Sequence, residues 1–177
     1  MLDKYFPSAC AKSVFHIDYK KLYAMGIRGI IFDIDNTLVH HGDDATKETE
    51  NFFEEIHAMN FKTVLLSDNS EERVKRFAGN IDTAYVYDAK KPATDGYEKA
   101  AGLLGISKEK IIMIGDQMFI DIVGANAFGI RSVLVEPIKL RRFEWPGFKR
   151  ILEKAVLIIF FISKAGRKGN EYVYRKK

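Results

Sequence analysis

The stretch Gly29-Ile30-Ile31-Phe32-Asp33-Ile34-Asp35-Asn36-Thr37-Leu38 decides the architecture of this chain. It opens with consecutive bulky apolar residues and has no polar partner at every second position. That pattern reads as a strand buried on both faces, Gly29 to Asp33, which ends on acidic and amide side chains. Outward from it, four more runs rich in Ile, Val and Leu repeat the pattern: Lys62 to Ser67, Ala84 to Tyr87, Ile111 to Gly115 and Ser132 to Val135. Between them lie segments with helical spacing, such as Phe52, Phe53, Ile56 and Met59, or Tyr97, Ala100, Ala101 and Leu104. Gly26, Gly105 and Gly129 stand where helices should stop, and Asp18, Asp44 and Ser107 where helices could start.

Strands that alternate with helices predict an α/β fold, a Rossmann-like three-layer sandwich with a five-stranded, mostly parallel sheet and no cap domain. With 177 residues, 47% of them hydrophobic, the chain suits one domain with a sizeable core. Residues 1–136 are expected to form it, with a helical lead-in around Asp18 to Met25. Residues 137–177 read as a basic C-terminal helical extension. There Glu136-Pro137 breaks the rhythm, Trp145-Pro146-Gly147 marks a turn, and Phe148 to Lys164 reads as a helix. Its apolar run, Ala155 to Ile162, is eight residues long, and spanning a bilayer takes about 20.

The net charge of +4 is unevenly distributed. Residues 137–177 hold 12 Lys/Arg against 3 Asp/Glu, net +9, leaving 16 against 21, net −5, in the remainder. Such a tail is either a solvated basic face or seeks an anionic partner, lipid headgroups, nucleic acid or an acidic protein; an anionic membrane surface is the partner expected here, and nucleic acid is not. Two alternatives stay open for the helix. It docks on a membrane with Lys149, Arg150, Lys154 and Lys164 around its apolar run, or it packs Ile151, Leu152, Val156, Ile159 and Phe160 on the sheet. The lone Cys10 excludes an internal disulfide and cysteine-clustered zinc. Together with the lack of a leader pattern in the first residues, it leads to the expectation of a cytoplasmic protein, peripheral on the inner membrane face.

In open parallel sheets ligands bind beyond the carboxyl ends of the strands. Here those ends carry Asp33 and Asp35, Ser67-Asp68-Asn69, and Gly115-Asp116 with Asp121 beyond, while Lys90-Lys91-Pro92 precedes a helix. Carboxylates converging from Asp33, Asp35 and Asp116 would repel one another unless a cation sat among them, and hard oxygen donors without Cys or His point to magnesium. A carboxylate attacking a phosphate needs compensating positive charge, which magnesium and Lys91 would supply. Ser67 and the amides after it suit phosphoryl oxygens. Asp33 then reads as the nucleophile and Asp35 as the acid that protonates the leaving alkoxide and later activates water. His40 and His41 read as solvated loop residues, and Asp43 and Asp44 as a helix start.

Asp33-Ile34-Asp35-Asn36-Thr37 resembles the DxDxT motif of haloacid dehalogenase-type phosphatases. Ser67, Lys91 and Gly115-Asp116 with Asp121 resemble the second, third and fourth motifs of that superfamily, in order, over roughly Gly29 to Pro137. The resemblance implies a magnesium set of Asp33, the Asp35 backbone carbonyl and Asp116, supported by Asp121. The phosphate-binding set expected with it is Ser67, Asp68, Lys91 and Asn36. The resemblance is greatest to the capless class IIIA branch, often called YqeG-type, some members of which act on phosphatidylglycerophosphate. Two departures are Asp68-Asn69, where the branch usually has Asn-Asn, and Ile120, where it often has Thr; neither removes a reacting group.

The intervals from Thr37 to Ser67 and from Ser67 to Lys91, 30 and 24 residues, leave no room for an inserted cap, so the site should be open to a phosphate on a larger surface. The expected function is magnesium-dependent hydrolysis of a lipid phosphate monoester such as phosphatidylglycerophosphate. The alternatives are a phosphatase of soluble metabolites, proteins or nucleic-acid ends, and a binding module that keeps the fold without the chemistry.

Overall fold

Successive side chains of a strand leave opposite faces, so an unbroken apolar run is fully buried only when both faces are covered. That is the case in the computed structural model, which describes residues 3–138 and 148–162. The strands are β1 (Ala9–Ala11), β2 (Gly29–Phe32), β3 (Lys62–Leu66), β4 (Ala84–Val86), β5 (Ile111–Gly115) and β6 (Arg131–Val135). The α-helices are α1 (Tyr19–Ala24), α2 (Lys47–Ala58), α3 (Glu71–Ala78), α4 (Thr94–Leu104), α5 (Val123–Phe128) and α6 (Phe148–Ile162). The strands lie in the order β1-β6-β5-β2-β3-β4, every neighbouring pair parallel.

Ile30 and Phe32 of β2 enter one core with Leu22 of α1, Phe52, Phe53 and Ile56 of α2, and Val74 and Phe77 of α3. Ile31 enters the other, with Tyr97, Ala100 and Leu104 of α4 and Ala125 and Phe128 of α5. A three-layer sandwich results, as the apolar runs require. The register brings the reactive ends level: Phe32 pairs with Leu65 on one side and Ile114 on the other, and Gly115 pairs with Leu134.

The sheet has six strands where five were expected. The addition, β1, pairs Ala9, Cys10 and Ala11 with Val133, Leu134 and Val135 at the sheet edge. Three small residues carry no strand signal of their own; they are held by an already formed neighbour. Helix starts follow local hydrogen bonding. The Asp18 carboxylate accepts the Lys21 N–H at 3.0 Å and caps α1, as expected. The cap of α2 is Thr46, accepting from the Thr49 N–H at 3.2 Å, and not Asp44, which pairs instead with Arg76. Gly105 and Gly129 end α4 and α5 in the left-handed region, where a Cβ would be strained.

A third, smaller cluster joins Met118, Ile122 and Leu134 to Val156 and Leu157 of α6. Phe160 is fully buried, as the packing alternative has it, while Ile159, which that alternative also turned inward, is 46% exposed. The turn expected at Trp145-Pro146-Gly147, the extension of the helix to Lys164 and the packing of Ile151 and Leu152 lie outside the described residues and side chains. Among the described residues no helix is long and apolar enough to cross a membrane.

Candidate active site

The Asp33 N–H still donates to the Ile114 carbonyl at 3.0 Å, so the acid emerges from the ladder itself and is buried. The chain then turns sharply. The N–H groups of Thr37, Leu38 and Val39 all point at the Ile34 carbonyl, and Asn36 takes a left-handed conformation, φ 62°, which an amide side chain tolerates better than most. This turn returns Thr37 to Asp33. Its hydroxyl donates to Asp33 Oδ2 at 3.0 Å, with Asp116 Oδ1 at 3.4 Å as a second acceptor, so the threonine ties together acids from β2 and β5.

Asp121 arrives on a single π-helical turn, Met118–Ile122. It folds back over Gly115, where a Cβ would fall 2.5 Å from the Asp121 carboxyl carbon, so glycine is required there. Asp121 Oδ2 accepts the Gln117 N–H at 3.0 Å, and its carbonyl accepts the buried Tyr97 hydroxyl at 2.9 Å. The Lys91 ammonium donates to Asp33 Oδ1 at 2.6 Å and Asp121 Oδ1 at 2.7 Å. The backbone N–H of Lys91 is fixed in turn by Asp68 Oδ1 at 2.9 Å.

The charge balance of this group decides its chemistry. Burial pulls the Lys91 ammonium down, but Asp121 and Asp33 outweigh it and hold the lysine charged, well above its ordinary range. Burial pushes Asp121 up to about 7; Lys91 opposes this, and Asp33 and Asp116 add to it. One ammonium thus bonds two of three buried carboxylates whose oxygens lie within 4.8 Å of one another. An excess of hard oxygen donors without Cys or His is the donor set that suits a divalent cation such as magnesium.

A pH dependence follows. The folded protein without cation holds the Asp121 proton more tightly than the unfolded chain, where the group titrates near 3.8. The contribution of this group to stability is therefore greatest at low pH and is lost as pH rises from about 4 to about 7. Magnesium competes with that proton, so the rise in Tm on adding magnesium should be larger at about pH 8 than at about pH 5. Thermal melts at the two pH values check this, and equal shifts would show that the carboxylates do not respond to the ion.

Asp35 forms a second group beside the first, its carboxylate lying apart from the three-carboxylate cluster. Its Oδ2 accepts the Asn69 side-chain amide at 2.5 Å, and its Oδ1 accepts the Gly42 N–H at 3.0 Å and Arg73 Nη2 at 3.3 Å. Asn69 also donates to Ser67 Oγ at 2.9 Å, joining the ends of β2 and β3. Arg73 reaches from α3 to the Asp43 carbonyl at 2.6 Å, and its Nε and Nη1 are buried without a hydrogen-bond partner. The His41 ring lies 3.5 Å from Asp35 Oδ2 but is 65% exposed, in keeping with a solvated loop residue. The Asn36 side-chain oxygen accepts the His41 N–H at 3.3 Å and so shapes the loop.

Asp33, Asp116, Asp121 and Lys91 are therefore brought together directly, and Ser67 joins Asp35 through Asn69. Sequence reasoning missed the parts played by Thr37, Asn69, Arg73 and Tyr97. A signal existed for one of them: Arg73 and Arg76, three apart on a helix, share a face, and Asp43 and Asp44 are acids in need of partners. Arg73→Ala is expected to lower kcat about 10- to 100-fold with little change in KM, because Asp35 loses a donor that orients it. Arg73→Lys should recover part of the loss. Steady-state kinetics on a soluble phosphomonoester check this, and an unchanged kcat would remove Arg73 from the site's support.

Comparison with known proteins agrees with this geometry. Residues 40–129 match the family described as haloacid dehalogenase-like hydrolase, a match that begins just past the Asp33 turn. Across 172 residues the chain is 34% identical to the probable phosphatase YqeG of Bacillus subtilis (strain 168), covering 96% of this chain and 97% of that one. It is 27% identical over 173 residues to the chloroplastic/mitochondrial phosphatidylglycerophosphate phosphatase 1 of Arabidopsis thaliana, covering 85% of this chain but only 49% of that protein. The fold is shared with a cobalt-bound phosphatase, YrbI of Haemophilus influenzae, at TM-score 0.50 and 16% identity, over 78% of this chain and 90% of that one. The matched hydrolase segment and a relative aligned along nearly the whole chain place this protein in the haloacid dehalogenase-like hydrolase family, as a phosphatase.

Proposed function

We propose that the chain hydrolyses a lipid phosphate monoester of the phosphatidylglycerophosphate type, with magnesium, through a phosphoryl group carried transiently on Asp33. The observation that carries the catalytic part is the buried group of Asp33, Asp116 and Asp121 at the open end of the sheet, with Lys91 bonded to Asp33 and Asp121. Asp33 and Asp116, with the Asp35 carbonyl, would hold magnesium, and the bound ion supplies the positive charge that lets a carboxylate approach a phosphate dianion.

The protein's own residues do the rest. A carboxylate oxygen of Asp33 attacks phosphorus, the bond from phosphorus to the ester oxygen breaks, and Asp35 gives its proton to the departing alkoxide. Water then surrenders a proton to Asp35 and attacks the same phosphorus, releasing phosphate and restoring Asp33. Lys91 neutralises charge on the nucleophile and the transferring oxygens. Ser67, Asn36 and the amides after β3 border the phosphate, and Asp68 sets the lysine's backbone.

Two features support a lipid substrate. The segments after β2 and β3 are filled by the ordinary helices α2 and α3, which build the core and, among the described residues, leave no cap over the strand ends. The phosphatidylglycerophosphate phosphatase of Arabidopsis is also a relative, though this chain spans about half its length. The test is a magnesium-containing assay comparing phosphatidylglycerophosphate in detergent micelles with glycerol 3-phosphate. The lipid should be preferred in kcat/KM by at least about tenfold. Turnover of the soluble ester alone would overturn the lipid assignment and leave the chemistry standing.

A further inference from the structure

The run Ala155 to Ile162 in α6 contains no polar residue, yet among the described residues one side of it is packed and the other is exposed. Val156 and Leu157 pack against Met118, Ile122 and Leu134, and Phe160 is buried with its ring 5.4 Å from that of Phe6. At about 100° per residue these three share one face, and the remaining positions occupy the opposite arc. There Ile158 is 61% exposed, Ile159 46%, Phe161 47% and Ile162 71%. The other large exposed apolar residues among those described, Phe15, Tyr87 and Leu103, stand singly on separate elements. Isolated cases are ordinary, but four on one helix face mark a contact surface.

We propose that this outer arc of α6 docks on an anionic lipid surface. Charge selects the occupant. The segment 137–177, which contains α6, carries 12 Lys/Arg against 3 Asp/Glu. Pairing α6 with its copy in a second chain would set two such segments against each other, whereas anionic headgroups over acyl chains satisfy both the basic residues and the apolar arc. Nucleic acid offers phosphate but no apolar bed for isoleucines.

The placement gives the docking a purpose. Met118 and Ile122, on which α6 packs, bracket Asp121 on its π-helical turn. The chain leading toward α6 is held at the site as well, because the Ile138 N–H donates to the Asn36 carbonyl at 2.8 Å. A helix seated on lipid would therefore hold the uncapped strand ends beside the headgroups. For this purpose the inference rests on the lipid-phosphate reading, although the binding it asserts needs no substrate.

The experiment is co-sedimentation of the full chain with vesicles of phosphatidylcholine, with and without phosphatidylglycerol, beside the double variant Ile158→Glu/Ile162→Glu. Both positions are exposed, so the variant should keep its Tm and its hydrolysis of a soluble phosphomonoester. Phosphatidylglycerol should tighten binding of the parent about tenfold or more, and the variant should lose about as much. A Phe161→Trp variant in a Trp145→Phe background should show a blue-shifted emission on anionic vesicles, which reads insertion without disturbing binding. No binding by the parent, equal binding by the double variant, or indole emission that stays unshifted on anionic vesicles would each overturn the proposal. So would self-association of the parent that the double variant abolishes, which would assign the arc to a second copy. Vesicle binding without lipid hydrolysis would sink the substrate reading alone, and lipid hydrolysis without vesicle binding would sink the docking alone.

Discussion

Asp33→Asn should lower kcat on the order of 10⁴-fold or more and leave the protein folded. An amide keeps the shape of the carboxylate but offers a poor nucleophile, and the step that depends on it has no substitute in the site. Asp121 does not replace it, because it is fully buried against Gly115 whereas Asp33 keeps a little of its surface open. Stability should respond differently. Asp33 is one of the charges that push Asp121 up, so its loss relieves repulsion in the protein without cation while Lys91 keeps Asp121 as a partner. Single-turnover kinetics and thermal melts without magnesium separate the two effects. Activity near that of the parent would remove Asp33 from the nucleophile's role.

Lys91→Met should have the largest effect on stability. The methionine fills the volume of the lysine stem, so packing is kept, but buried Asp33 and Asp121 lose the cation they share. Removing one partner from a buried ion pair costs about 3–5 kcal/mol, which lowers Tm by about 10 °C in a domain of this size. Protonation of Asp121, already pushed up to about 7, limits the damage at low pH, so the loss should be smaller at about pH 5 than at about pH 8. Magnesium should restore part of the Tm and little of the activity, because the ion replaces the charge but not the contact at Asp33 Oδ1. Melts of parent and variant with magnesium and with chelator check this. An unchanged Tm in chelator would mean that the carboxylates are not charged together.

Both variants concern residues that could be named without coordinates, and the reason is positional. A buried parallel strand must be apolar throughout, so β2, β3, β5 and β6 announce themselves, and a polar residue immediately after such a run must lie at the open end of the sheet. Asp33, Ser67 and Asp116 meet that condition, whereas Lys91, which lies beyond the end of β4, was named through the resemblance to the motif set. Strand β1 was illegible because Ala-Cys-Ala is neither long nor branched; its place comes from its pairing with β6, more than a hundred residues later in the chain.

The proposed acid/base group, Asp35, was legible only as a residue. Which atoms hold Asp35 depends on contacts 34 and 38 positions away, from Asn69 and Arg73. Those contacts exist because α3 packs its Val74 and Phe77 face on the same core as β2 and turns Arg73 toward the loop. The same holds for α6, whose run Ala155 to Ile162 is apolar all round and leaves packing and docking equally open.

By itself, then, the order of residues determined the parallel sandwich, the carboxylates at its open end and the charge of the tail. These are consequences of local composition and of the strand's two-sided burial. Only the tertiary structure decided that Asp33 and Asp121 share one lysine beside Asp116, that Asp35 stands apart under the hold of Arg73 and Asn69, and that α6 turns one face in and leaves the other exposed. Each of those depends on the register and packing of elements distant in the chain, and the free energy that selects them comes from contacts no local pattern encodes.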